Sequence, residues 1–264
     1  MVEYTYFDGK TRGVDFDGMV KSLESFPKFT TVLLHACCHN PTGADITEAQ
    51  WRQVIEICKT KELIPFLDMA YQGFGQGLEQ DAYAIHALDR SGMNFIVSHS
   101  FSKIFSLYGE RVGSLSFVCD DANIAQNVLG QLKATVRRIY SSPAANGALL
   151  VSQVLNDTAL SQLWQSELEE MRQRILLMRR LLEDKLSQAL PDMDFSYLTQ
   201  QQGMFSYTGL SAEQVDLLKH DYGIYLVRSG RMCTAGLNLN NIDYVADSMA
   251  TVLKAASSAE SVLA

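Results

Sequence analysis

Lys103 lies in the stretch SHSFSKIFSLYGERVG, residues 98–113, with no Asp, Glu or Arg within six residues on either side. A lysine amine is a nucleophile only when uncharged. At its ordinary pKa near 10.4, about one in a few thousand is neutral at pH 7. An apolar setting and a nearby cation such as Arg111 both favour the neutral form. Such an amine can form a Schiff base with a carbonyl. Ser100, Ser102 and Arg111 add two hydroxyls and a guanidinium near the same strand end, a suitable cradle for a phosphate. Pyridoxal phosphate is a cofactor with both a reactive carbonyl and a phosphate. Taken singly, these residues also fit a snorkelling lysine, turn-capping serines and a surface arginine.

Two further stretches supply groups that such a cofactor needs. FLDMAYQGFG places Asp68 at the end of an apolar strand, where ligand sites of α/β sheets lie. A buried carboxylate needs a partner, and a protonated pyridine nitrogen is one. Tyr71, three residues on, can donate to the cofactor's phenolic oxygen. Asn40, in the HNPTG turn after another strand, can do the same. Alone, Asp68 reads equally as a helix cap, and HNPTG as a turn.

The elements that must position these groups follow from periodicity. TTVLLHACC, LIPFLDMA, NFIVSHS and VGSLSFVC read as buried strands. Helical stretches fall between them at Glu48–Lys61 and near Asp81–Arg90. This alternation predicts an α/β fold, a mostly parallel sheet flanked by helices. Beyond about Ala148, Trp164, Leu168, Met171, Ile175, Met178, Leu182 and Leu186 recur at three and four, one face of a long helix. It ends before Pro191. Strand-like DFSYL and GMFSYTG, a helix opened by Ser211 and Gln214, the strand-like GIYLVRSG and a last helix from about Asn241 make a smaller α+β domain. The expected division is 1–170 and 171–264, joined by the long helix.

Composition sets the outer limits. The chain has 264 residues, 47% apolar and 20% charged, which is ordinary for one large or two small domains. The net charge of −8 argues against non-specific nucleic-acid binding. No apolar run reaches membrane-spanning length. The five cysteines form no C-x-x-C pattern, so neither a disulfide framework nor a metal site is expected, and a reducing cytoplasm is.

Taken in order, HNPTG, DMAYQGF, SHSFSKIFSLYGERVG, ATVRRIYSS, GMFSYTGL and VRSGRMCTAGL resemble the class I aminotransferases. The nearest branch is that of the bacterial aromatic-amino-acid (tyrosine) enzymes, beside the aspartate enzymes. The resemblance runs from about Val2 to the last helix. It implies a partial fold-type I large domain with a C-terminal small domain. It implies amino transfer from tyrosine, phenylalanine or aspartate to 2-oxoglutarate with pyridoxal 5′-phosphate, as in amino-acid biosynthesis, by a cytoplasmic homodimer. No metal, nucleic acid or membrane is implied. By position, Lys103 would bind the cofactor and shuttle the proton at the substrate Cα. Asp68 would hold the pyridine nitrogen, Tyr71 and Asn40 the phenolic oxygen, and Ser100, Ser102 and Arg111 the phosphate. Arg231 would take the substrate α-carboxylate, with Asn40 and Phe205 lining the pocket. Arg137 would bind a distal carboxylate in the partner subunit's site. His35 would stand behind Asp68.

Four features depart from that pattern or compete with it. Ile139 and Ala144 replace a polar residue and a proline near RRIYSSPA, which alters the local pocket. The family's N-terminal portion has no counterpart here, so the chain reads as N-terminally truncated. The other reading is therefore an impaired remnant without independent activity, binding cofactor poorly and self-associating. SFSK also matches the S-x-x-K of penicillin-binding proteins, but S-D-N and K-T-G do not occur, and GFGQG is not G-x-G-x-x-G.

Overall fold

The computed structural model describes residues 1–263, with side-chain surroundings as far as residue 255. A hairpin of two short strands, β1 (Phe7–Asp8) and β2 (Gly13–Val14), precedes helix α1 (Phe16–Ser25). Strands and helices then alternate through β3 (Thr31–His35), α2 (Glu48–Thr60), β4 (Ile64–Met69), α3 (Tyr83–Ser91), β5 (Phe95–Ser100) and β6 (Gly113–Val118). Helices α4 (Ala122–Tyr140), α5 (Asn146–Asn156) and the long α6 (Thr158–Ala189) follow. After Pro191 come α7 (Tyr197–Gln200), β7 (Phe205–Tyr207), α8 (Ala212–Tyr222), β8 (Arg231–Cys233) and α9 (Ile242–Leu263). None of the described helices is long and apolar enough to cross a membrane.

The chain divides into two compact units, with the boundary falling inside α6 between Glu170 and Met171. Two earlier segments, Phe7–Asp15 and Cys38–Asp45, belong with the second unit. Hydrogen bonds explain this. The Gln201 side-chain amide donates to the Arg12 carbonyl, and the Gln202 N–H donates to the Gly43 carbonyl.

The first unit is built on a four-stranded sheet in the order β3-β4-β5-β6. β3, β4 and β5 are parallel, and β6 runs antiparallel to β5. Parallel neighbours need a crossover, which α2 and α3 supply. Helix α2 begins at Thr47, whose hydroxyl accepts the Gln50 N–H while the Gln50 side chain accepts the Thr47 N–H. Gly92, in the left-handed conformation, ends α3. The register places Val32, Leu34, Pro65, Leu67, Phe95 and Val97 on one face of the sheet, and all are buried. Leu33, Phe66, Asp68, Ile96 and Leu115 alternate onto the other face, where they are half-buried or exposed.

The second unit packs the C-terminal half of α6 with α7, α8 and α9 around Met178, Leu182, Leu186, Phe195, Leu218 and Met249. Antiparallel β7 and β8 pair Phe205 with Cys233 and Tyr207 with Arg231. Ser211 and Gln214 form the reciprocal cap that opens α8. Two segments expected to be strands are not. In DFSYL, the Asp194 carboxylate accepts the Ser196 N–H, and the Gln201 N–H returns to the Tyr197 carbonyl, closing the turn of α7. Phe195, Tyr197 and Leu198 thus reach the core from a turn. In GIYLVRSG, left-handed Gly223 caps α8, and the Gly230 N–H turns back to the Val227 carbonyl. The ladder begins only at Arg231.

Candidate active site

In the first unit, the carboxyl ends of β3, β4 and β5 and the segments just after them carry His35, Asp68, Tyr71, Ser100, Ser102 and Lys103, whereas Asn40 belongs with the second unit. His35 pairs in register with Asp68, and Asp68 with Ser98, so the three lie in one row across the open face. Asp68 is half-buried and forms no ion pair among the described residues. It acts electrostatically on His35. Burial holds the His35 imidazole below its usual pKa, and the Asp68 charge opposes that fall. Past β4, Tyr71 is buried, and the Lys103 Nζ lies 4.8 Å from the centre of its ring. Lys103 likewise forms no ion pair among the described residues.

The Lys103 segment leaves β5 as a tight turn. The Phe105 N–H donates to the Phe101 carbonyl and the Ser106 N–H to the Lys103 carbonyl. Ser102 is buried, and its N–H donates to Ser100 Oγ at 3.3 Å, so the two hydroxyl residues stand together. Arg111 lies at the surface, with a φ of 51° and its Nη1 donating to the Tyr108 carbonyl at 3.0 Å. Arg137, in the last turn of α4, is exposed and donates to Ser141 Oγ at 3.1 Å.

The second unit holds a separate set. Arg231, at the start of β8, is half-buried. Its Nη1 donates to Asn40 Oδ1 at 3.0 Å, and its guanidinium carbon lies 4.8 Å from the centre of the Phe205 ring. Stacking on one face and one hydrogen bond on the edge orient a planar guanidinium while leaving other N–H groups for a ligand. A bidentate pairing with a carboxylate is what that fork suits.

Comparison with known proteins gives the family of the chain. Residues 1–249 match the family model for aminotransferase class I and II. The chain belongs to that family. It is 59% identical over 250 residues to the aromatic-amino-acid aminotransferase of Escherichia coli K12, a match covering 95% of this chain and 63% of the relative. It is 47% identical to the aspartate aminotransferase of Pseudomonas aeruginosa, with the same coverage. The crystal structure of the aromatic-amino-acid aminotransferase of Burkholderia pseudomallei, covalently bound to pyridoxal phosphate, superimposes with a TM-score of 0.94 at 50% identity. That superposition covers 96% of this chain and 63% of the other. The chain thus spans about 63% of the length of these aminotransferases.

Two residues that hold the first set were not legible as site residues in this family member. Trp164 on α6 stacks on Phe105 with ring centres 4.6 Å apart, and its Nε1 donates to the Ile104 carbonyl at 2.8 Å, bracing the Lys103 turn. In the sequence it was only one apolar position of a helix. Asp81 is buried, and its carboxylate accepts the N–H groups of Gly73, Gly75 and Gln76, fixing the loop that follows Tyr71. Its signal was an acidic residue closing the glycine-rich GFGQGLEQD. Ile139, at the altered position near RRIYSSPA, is 71% exposed.

Proposed function

We propose that this chain carries the cofactor and carboxylate groups of a pyridoxal-phosphate-dependent aminotransferase. Its substrates are aromatic or dicarboxylic L-amino acids, with 2-oxoglutarate as acceptor. The observation that carries this reading is the Lys103 amine against the buried Tyr71 ring, in the unit whose strand-end carboxylate, Asp68, has no ion-pair partner among the described residues.

The donor set fits the cofactor. A pyridinium N–H would supply the cation that Asp68 lacks, Ser100 and Ser102 offer hydroxyls to a phosphate, and Arg111 offers a charge. Asn40 and Tyr71 have N–H and O–H donors for a phenolic oxygen. When bound, pyridoxal phosphate supplies an electron sink that acidifies the Cα proton of an attached amino acid. Lys103 then serves as the base and acid at that Cα. Asp68 keeps the ring nitrogen protonated. Arg231 holds the α-carboxylate, Phe205 and Asn40 fix the guanidinium, and Arg137 serves the distal carboxylate of a dicarboxylic substrate in a partner subunit. We assign the cofactor residues other than Asn40 to the first unit, and Asn40 with the α-carboxylate fork to the second, within a cytoplasmic homodimer.

A second reading, retention of these residues without turnover, is favoured by the exposed apolar surface of β6 and α4. One series separates the two. Pyridoxal phosphate is added to the purified chain, absorbance is followed, and borohydride reduction precedes peptide mapping. The label is expected on Lys103 and absent in Lys103→Ala, and proton exchange at Cα should fall by about 100-fold or more in that variant. A label on another lysine overturns the assignment. A labelled Lys103 with no measurable transfer to 2-oxoglutarate selects the second reading.

A further inference from the structure

Arg179 on α6 is 1% exposed, one of the largest fully buried side chains. A buried guanidinium costs stability unless its donors are used. Here its two terminal nitrogens meet one short stretch of backbone, while the buried Nε has no hydrogen-bond partner among the described residues. Nη1 donates to the Leu198 carbonyl at 2.7 Å, and Nη2 donates to the Gly203 and Phe205 carbonyls at 2.9 and 2.5 Å. Burial pulls its pKa down to about 10, and the nearby Cys38 and Asp45 oppose that fall. Asp45 in turn accepts the N–H groups of Cys38 and His39 at 2.7 and 2.8 Å, closing the turn that carries Asn40.

The two segments served by Arg179 and Asp45 pack backbone against backbone. The Gln202 N–H donates to the Gly43 carbonyl at 2.7 Å. A Cβ on Gly43 would come within 2.4 Å of the Phe205 carbonyl oxygen, and one on Gly203 within 2.5 Å of Cys38 Cβ. Both glycines also have left-handed φ, so no larger residue fits either position without a shift. One segment ends at Phe205 and the other presents Asn40, the two residues against which Arg231 rests.

We propose that Arg179 is a positioning residue for Arg231, fixing Asn40 and Phe205 so that the guanidinium fork is held ready for a carboxylate. The proposal rests on the reading of Arg231 as the carboxylate-binding group. A lysine at 179 would keep a charge but lacks the planar fork that spans three carbonyls.

The test reads Arg231 directly in the full chain. Its modification by phenylglyoxal is timed by peptide mass spectrometry, with and without maleate as a dicarboxylate probe. In the wild type, modification is expected to be slow and slowed further by maleate. In Arg179→Lys and Arg179→Met it should speed up by about ten-fold, as expected for the loss of one or two charge-assisted hydrogen bonds, and maleate should no longer protect. Val252→Ala truncates the same core from α9 and should lower the melting temperature while leaving the Arg231 rate unchanged. Should the Met variant fail to fold, the Lys variant carries the comparison. An unchanged Arg231 rate in folded Arg179→Lys overturns the proposal, and so does an equal acceleration in Val252→Ala. Acceleration in the Arg179 variants, with no maleate protection in the wild type, sustains the positioning role and removes the carboxylate reading of Arg231.

Discussion

Arg231 and Arg137 are both arginines proposed for carboxylates, yet their settings differ. Arg231 is half-buried, stacked on Phe205 and bonded to Asn40, whereas Arg137 is exposed on α4 and bonded to Ser141. Every amino acid has an α-carboxylate, and only a dicarboxylic one has a second. Arg231→Leu should therefore weaken aspartate and phenylalanine alike, by about ten-fold or more, the worth of a charge-assisted contact. Arg137→Ala should weaken aspartate and spare phenylalanine. The half-reaction of each amino acid, followed through cofactor absorbance, measures this; equal losses for both substrates in the Arg137 variant would remove its role. Lys103 and Asp68 stood out in the sequence because their chemistry is unusual for their place in the chain, a lysine in an apolar stretch and a carboxylate ending a strand, whereas Arg231 and Arg137 came only from the resemblance. Arg179, Asp81 and Trp164 were not legible. Each acts on backbone carbonyls or N–H groups, and which backbone lies near is decided by the fold.

At the scale of elements, β3 ends in a histidine and β5 carries one next to its last residue, and the fold disfavours the charge of both. Burial lowers the pKa of His35 below its usual 6.5, against the pull of Asp68, and lowers that of His99, whose Nε2 is buried without a hydrogen-bond partner. A depressed histidine pKa means that the unfolded chain binds protons more readily than the folded one. Stability is then complete above the unfolded pKa near 6.5 and is lost progressively as pH falls below it. Urea unfolding across a pH series should show a plateau above about pH 7 and a decline starting near 6.5. The double variant His35→Asn, His99→Asn should lose that first decline; a wild-type profile flat down to pH 5 would contradict the prediction. The lowered carboxyl groups of Asp8, Asp194 and Asp216 titrate in a lower window and do not mask it. The strands bearing these histidines were readable from continuous apolar runs. DFSYL and GIYLVRSG misled because a short apolar run has no period to separate a strand from a turn folded onto a core.

At the scale of the whole molecule, apolar surface and net charge oppose each other. In the first unit Leu33 and Leu115 are half exposed on the open face of the sheet, and Ile139, Leu149 and Leu163 are 71%, 66% and 56% exposed on the helices that follow. Helix α4 has no buried residue, although Ala125, Val128, Leu132 and Val136 recur along one half-buried stripe. Soluble proteins rarely leave contiguous apolar surface of this kind uncovered, and its burial is favourable at roughly 25 cal/mol per Å². The net charge of −8 repels a second copy. The expected outcome is reversible self-association that grows with protein concentration. It should also strengthen as salt rises, because screening weakens the repulsion and leaves the apolar attraction intact. Association through surface ion pairs would have the opposite salt dependence. Sedimentation velocity over a range of concentrations, at low and moderate salt, distinguishes these cases, and Ile139→Asn with Leu149→Gln should shift the distribution towards monomer. A wild-type monomer independent of both concentration and salt would show that the exposed residues on α4, α5 and the sheet do not form an adhesive surface.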